Sequence, residues 1–212
     1  MRGRGLAASL TMLGLAACQT PVPGAPGAAR PSVVVEETEA WRQVASPRDS
    51  ALLDGLPARW GTALAAARAA GLSRRVDAER TLLLPAARLA RAAPAPGTYR
   101  CRSIRLGERR WTASAPGYCF VGVEQGQLTL ATEIKGLHLG GYLWELKGSE
   151  GLVFLGALAA GTGKAAAAYG ESPASDSAGL VERLGDFRYR LVLPASAPGI
   201  LTIVEMVAAP RA

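Results

Sequence analysis

The sequence predicts an α+β fold: an N-terminal helical region followed by an antiparallel, roughly eight-stranded β-barrel or closed sandwich. Three observations carry that expectation. Between residues 46 and 71 the apolar residues recur every three or four positions, as they do along one face of a helix. Beyond residue 97, short runs rich in Val, Leu, Ile, Tyr and Phe are separated by Gly-centred turns. The 212 residues are 49% hydrophobic and 19% charged, with 25 Gly and 14 Pro. That composition suits one turn-rich domain with a real core and is unlike that of a disordered chain.

The chain opens with Arg2 and Arg4, then an apolar run from Leu6 to Leu15. A run of about ten residues is too short to span a bilayer as a helix, and the arrangement is that of a secretory signal. Leu15-Ala16-Ala17-Cys18 resembles the lipobox of bacterial lipoproteins, in which the signal is removed and the cysteine thiol becomes a thioether to diacylglycerol. The residue after it is Gln19 rather than Asp, which by the same resemblance implies sorting to the outer membrane, facing the periplasm. Residues 1–17 are therefore expected to be a lipoprotein signal peptide. Residues 18–32 are expected to be the lipidated Cys18 and a tether of Pro, Gly and Ala, reaching roughly 40 Å if stretched. The expected membrane contact is an anchor and not a span.

Residues 33–97 form the expected helical region. Ser46-Pro47-Arg48-Asp49 is a start signal: a capping hydroxyl, a proline at the first helical position and an acid in the first turn. Leu53, Leu56, Trp60, Leu64 and Ala67 fall on one face, Pro57 should kink or split the helix, and Gly71 is a C-cap. A second short helix starts at Ser73 and stops before Pro85. The β-rich domain occupies 98–212, with strands expected at 98–106, 117–124, 127–134, 139–146, 151–158, 177–184, 187–193 and 200–207. Gln125-Gly126 and Gly185-Asp186 are the expected two-residue hairpin turns.

Charge and cysteine content narrow the function classes. Lys and Arg number 24 against 17 acids, a formal charge of +7 that falls by two when the signal is removed. Export removes nucleic acid from reach and leaves anionic lipid or an envelope protein as expected partners. With Cys18 lipidated, Cys101 and Cys119 remain, and an even pair in an oxidising compartment predicts a disulfide. Arg100, Arg102, Arg105, Arg109 and Arg110 lie in one hairpin against Glu108, a candidate anionic-surface patch.

Tyr99-Arg100-Cys101-Arg102 follows Pro96-Gly97 and precedes Ile104-Arg105-Leu106-Gly107. With Val153 to Leu158, Tyr169-Gly170, Asp176 to Gly179, Glu182 to Gly185, Arg190 to Pro194 and Glu205, this resembles the bacterial family of domain of unknown function 4893, over roughly residues 36–210. Lys135 to Gly141 departs from the polar stretch often found there in the family. The family carries no established activity, so the resemblance implies no catalytic residues.

Catalytic motifs are not met. Gly161-Thr162-Gly163-Lys164 fails as a phosphate loop, because Leu158 holds the first Gly position and Ala165 follows the Lys. His138 is the only histidine, which excludes sites built on two, and no Gly-x-Ser-x-Gly elbow accompanies it. Glu182 and Glu205 sit in apolar strands, where a carboxylate needs a partner, and Arg183, Arg188 and Arg190 are close enough in sequence to supply one. The expectation is a structural ion pair. No catalytic residue, cofactor or metal site is expected. The expected role is a non-enzymatic cell-envelope lipoprotein, a binding or structural module, with a small-barrel protease inhibitor or a carrier of a small apolar ligand as alternatives.

Overall fold

A computed structural model describes residues 39–107, 110–148, 150–161 and 164–210. The expected signal peptide, Cys18, the tether and Arg109 lie outside the described residues.

The described chain starts with a helix not foreseen from the sequence, α1 (Ala40–Val44), whose Trp41 is buried with its indole Nε1 donating to Glu39 at 3.0 Å. Ser46 caps α2 (Pro47–Asp54), its hydroxyl accepting from the Asp49 N–H at 3.1 Å. The expected split occurs at Gly55, and Pro57 then falls in the first turn of α3 (Leu56–Ala69), where no backbone donor is needed. Gly71, at φ +80°, ends α3: its N–H donates to Arg68 O at 2.9 Å and the Leu72 N–H to Ala67 O at 3.1 Å. A six-residue helix α4 (Ser73–Ala78) follows, then two 3-10 turns at Arg80–Leu82 and Pro85–Ala87.

Nine strands follow among the described residues: β1 (Gly97–Gly107), β2 (Arg110–Ala113), β3 (Gly117–Glu124), β4 (Gln127–Ile134), β5 (Leu137–Glu145), β6 (Leu152–Leu158), β7 (Asp176–Gly185), β8 (Arg188–Pro194) and β9 (Leu201–Ala208). All pairings are antiparallel. Apart from β2, each strand pairs with the next, and β9 returns to β1 from Tyr99↔Ala208 to Leu106↔Leu201. The sheet is thus an eight-stranded closed barrel with one extra strand, and closure leaves the barrel itself no free edge.

The extra strand has a local cause. β2 and β3 lie end to end along the same edge of β1, with Ile104↔Ala113 on one side of a break and Cys101↔Gly117 on the other, a slip of one residue. Pro116, inside the break, has no N–H to offer the ladder. Two serines span the gap: the Ser103 N–H donates to Ser114 Oγ and the Ser114 N–H to Ser103 O, both at 2.9 Å. Four residues, three exposed and only Trp111 half-buried against the α3 cluster, are too few to carry an alternating pattern, so β2 has no signal in the sequence.

One expectation needs correction. The turn between β7 and β8 is Asp186-Phe187 and not Gly185-Asp186, because the register slips from Arg183↔Tyr189 to Gly185↔Arg188 and keeps Gly185 in the strand. The expected disulfide joins Cys101 and Cys119: Cys101 pairs with Gly117 and Cys119 with Tyr99, so the bond runs diagonally across the ladder, with the Cα atoms 5.9 Å apart.

Alternation sorts the strand residues into three apolar clusters. The barrel interior holds the disulfide, Leu130, Phe154, Leu191 and Met206, and the Tyr99 and Tyr189 rings meet edge to face at 5.9 Å. Gly156 is required there, since a Cβ would lie 2.2 Å from Gly140 O and 2.5 Å from the Phe154 ring. Outside the barrel, Leu56, Trp60 and Leu64 of α3 pack on Ile104, Val192, Leu201 and Ile203. Trp41 packs on Val153, Leu155 and Ala178. Each fully buried Leu or Ile contributes about 1.5–3 kcal/mol, so the helices are held by the wall they cover. They leave the outer faces of β3 and β4 open.

Candidate functional site

The charged side chains divide into those consumed by the fold and those left to act. Arg190, on the outer face of β8, is completely buried, and the Glu182 side chain across the ladder is 3% exposed. Arg190 Nε donates to Glu182 at 2.7 Å. Its terminal nitrogens donate to four carbonyls of the 3-10 segment, those of Thr81, Leu82, Leu84 and Pro85, at 2.8–3.1 Å. The guanidinium lies 4.5 Å from the centre of the Trp60 ring. Burial pushes the Arg190 pKa down and Glu182 opposes it. A second group lies beside it. Arg102 grips Glu79 with both terminal nitrogens, at 3.0 and 2.5 Å, and Glu205 with Nε at 2.7 Å. Arg188 donates to the other Glu205 oxygen at 2.8 and 2.6 Å. The hydrogen bonds to Glu79, with Glu205, hold the Arg102 pKa above its ordinary value. These pairs fasten residues 79–85 to the barrel wall, and they are the structural ion pairs expected for Glu182 and Glu205.

Asp49 is buried at the start of α2 and accepts from the Tyr169 hydroxyl at 2.6 Å, while that hydroxyl accepts from the Ser46 N–H at 2.9 Å. The Ser46 hydroxyl is engaged with Asp49 on both sides, donating to its carboxylate and accepting from its N–H as a helix cap does. Burial, then the hydrogen bond to Asp49, raise the Tyr169 pKa above 10.0, and burial raises Tyr99 and Tyr189 likewise. The folded state therefore keeps these protons at a pH where the unfolded chain loses them. Stability from these groups is fully present below pH 10.0 and falls as the pH rises through the folded values. Urea midpoints should drop above that pH, and Tyr169→Phe should make the drop shallower than in wild type. An unchanged slope would remove Tyr169 from the account.

The five-arginine hairpin does not form one patch among the described residues. Arg100 and Arg102 share the outer face of β1 with Ile104 and Leu106, and Arg102 is committed to ion pairs. Arg105, opposite Thr112, and Arg110, opposite Gly107, lie on the other face. Arg109 is not described. What remains is Arg100, exposed on the open wall between Tyr118 of β3 and Val207 of β9, its two ladder neighbours. Tyr118 is 52% exposed, and Phe120 and Val207 are exposed beside it. Among the described residues Arg100 has no ion-pair partner. A shallow groove of about 280 Å³ opens here beside the break in the ladder, lined by Arg100, Arg102, Pro116, Glu205 and Val207. Aromatic rings flanking an unpaired guanidinium can take up a partner's apolar side chains and one anionic group.

His138 lies on the outer face of β5 opposite Glu133, and its carbonyl accepts from the Ala159 N–H at 2.9 Å. Among the described residues no group of three or more His, Cys, Asp and Glu side chains could hold a metal ion, and no helix is long and apolar enough to cross a membrane.

The positions that carry the sequence resemblance gather at these structural contacts. Cys101 is in the disulfide, Arg102, Glu182, Arg190 and Glu205 are in the ion pairs, and Tyr169 is in the lock on α2. Asp176 accepts from the Gly170 N–H at 3.0 Å, which shapes the loop behind that lock. No curated protein and no solved structure matches the chain. The family described as domain of unknown function (DUF4893) matches residues 41–206, from the buried tryptophan of α1 to the inward-facing methionine of β9, and the chain belongs to that family.

Proposed function

We propose that the protein is a non-enzymatic, lipid-anchored component of the cell envelope that binds a partner protein through the open wall of its barrel. The observation that carries this reading is Arg100 exposed between Tyr118 and Val207, beside the outer wall of β3 and β4 that the described helices leave bare. Tyrosine and arginine are the residue types that concentrate binding energy at interfaces. The envelope assignment draws support from the order of charges, apolar run and Cys18 in the sequence, and from the disulfide, a bond that persists in oxidising compartments. The carrier reading finds less support, because side chains occupy the barrel interior. The inhibitor reading would need the segment before Glu39 as its insertion arm, and that is the segment expected to serve as the tether.

The test has two parts. Cells fed labelled palmitate should yield labelled wild-type protein in the membrane fraction, while Cys18→Ser should carry no label and appear in the soluble fraction. A photo-crosslinking residue at Tyr118 should capture a discrete envelope protein, and Arg100→Ser should weaken that capture several-fold. An unlabelled wild type overturns the anchor, and unchanged capture by Arg100→Ser overturns the wall as the binding site.

A further inference from the structure

The antiparallel meander places three connections at one end of the barrel: residues 125–126, 146–151 and 186–187. Glu39, the first described residue, is fixed at that same end, its carboxylate accepting from the Lys147 N–H at 2.7 Å. So is Leu89, whose N–H donates to Arg183 O at 2.9 Å. The exposed apolar side chains of this end include Phe187, Val123 and Leu89, at 61%, 54% and 43%, and Val207 beside Phe187 at 42%.

Phe187 is the unusual member. Its φ of +54° is a left-handed conformation, which at a bulged hairpin turn suits Gly or Asn and strains a bulky residue. The turn thus bears backbone strain while presenting a phenyl ring to water. The end carries no strong field of one sign, since Arg88 is paired with Glu150 and Arg183 with Asp186. That favours insertion of apolar side chains over attraction by charge.

We propose that this end of the barrel rests on the bilayer surface that holds the Cys18 anchor, with the Phe187 ring seated at headgroup depth and Val123 and Leu89 beside it. The proposal rests on the lipid-anchor reading. What commits it to a bilayer is where the chain enters. Cys18 precedes Glu39 by 21 residues, and Glu39 is at the same end as Phe187. A length of 21 residues reaches roughly 65 Å at about 3.1 Å per residue. The anchor therefore keeps this end within reach of the membrane, and an apolar contact too weak to recruit a free protein is sufficient once tethered.

The test uses the full-length lipidated protein in vesicles of phosphatidylcholine and phosphatidylglycerol. Phe187→Cys and, separately, Val123→Cys are labelled with an environment-sensitive fluorophore. Lipids spin-labelled near the headgroup serve as quenchers. Lys135→Cys, in the β4–β5 turn at the opposite end, is the control. Quenching at 187 and 123 should exceed that at 135 by about threefold or more. Labels at 187 and 123 as exposed to water as the one at 135, on protein whose Cys18 is shown by mass spectrometry to be lipidated, overturn the orientation alone. An unmodified Cys18 overturns the anchor reading and the orientation with it.

Discussion

Arg190→Met is expected to destabilise the protein by about 4 kcal/mol, measured as the change in urea unfolding free energy, since removing one partner of a buried pair leaves the other charged and dry. The loss here has three parts. The Glu182 carboxylate, 3% exposed, loses its only buried counter-charge among the described residues. Four carbonyls between Thr81 and Pro85 lose their donors. The Trp60 ring loses the cation stacked on it. Because those carbonyls belong to the 3-10 segment, proteolysis should begin between residues 80 and 88 before the barrel itself is cut. Glu182→Leu with Arg190→Met should recover part of the loss, since the buried charge goes, but not all of it, since the carbonyls stay unpaired. A cost for Arg190→Met below about 1 kcal/mol would show that this guanidinium does not fasten the helical layer to the wall.

The second large effect is expected at the disulfide. Cys101→Ala with Cys119→Ala should lower stability by about 3 kcal/mol, from the restored freedom of an unfolded loop of 18 residues. The bond lies inside the barrel just below the break at Pro116, where β1 exchanges one partner strand for another. Its loss should therefore be felt first in that ladder, and amide exchange of β2 and β3 should accelerate more than that of β8. Uniform acceleration across the barrel would mean that the bond acts only on the unfolded chain.

Much of the barrel was legible because its strands are written in two clear signals. Period-two alternation marks β8, from Arg188 to Leu193, and Gly-centred turns such as Gln125-Gly126 separate the runs. The carboxylates of Glu182 and Glu205 stood out as charges in apolar strands, and two of the three arginines near them in sequence proved to be their partners. The remaining partners were out of reach of sequence reading. Arg102 meets Glu205 across 103 residues and Glu79 across 23. Helix α1 has five residues, too few to show a period, and its signal is a single buried tryptophan. The open wall was hidden for a different reason. Alternation says which side chains leave the barrel, but not which of those the helices then cover. Arg100 and Arg102 are equivalent in the pattern, and the positions of Glu79 and Glu205 separate an exposed cation from a neutralised one. The turn at Phe187 escaped because a one-residue bulge moves a loop without changing the composition around it.

The seam between β1 and β9 sets a condition on how the chain comes together. Every other ladder joins strands close in sequence, so it can form as soon as its second strand is made. This one joins Tyr99 to Ala208, and the hoop cannot shut until the ninth strand has been delivered. Until then β1 presents eight residues of unsatisfied main chain to its surroundings, in a fold whose late, long-range contact makes assembly slow. A chain cut short before residue 201 would not be a smaller version of this protein but a ribbon with two sticky margins. The helical layer, which is synthesised first and packs partly on the side of the seam, is positioned to shelter that margin while the last strand is awaited.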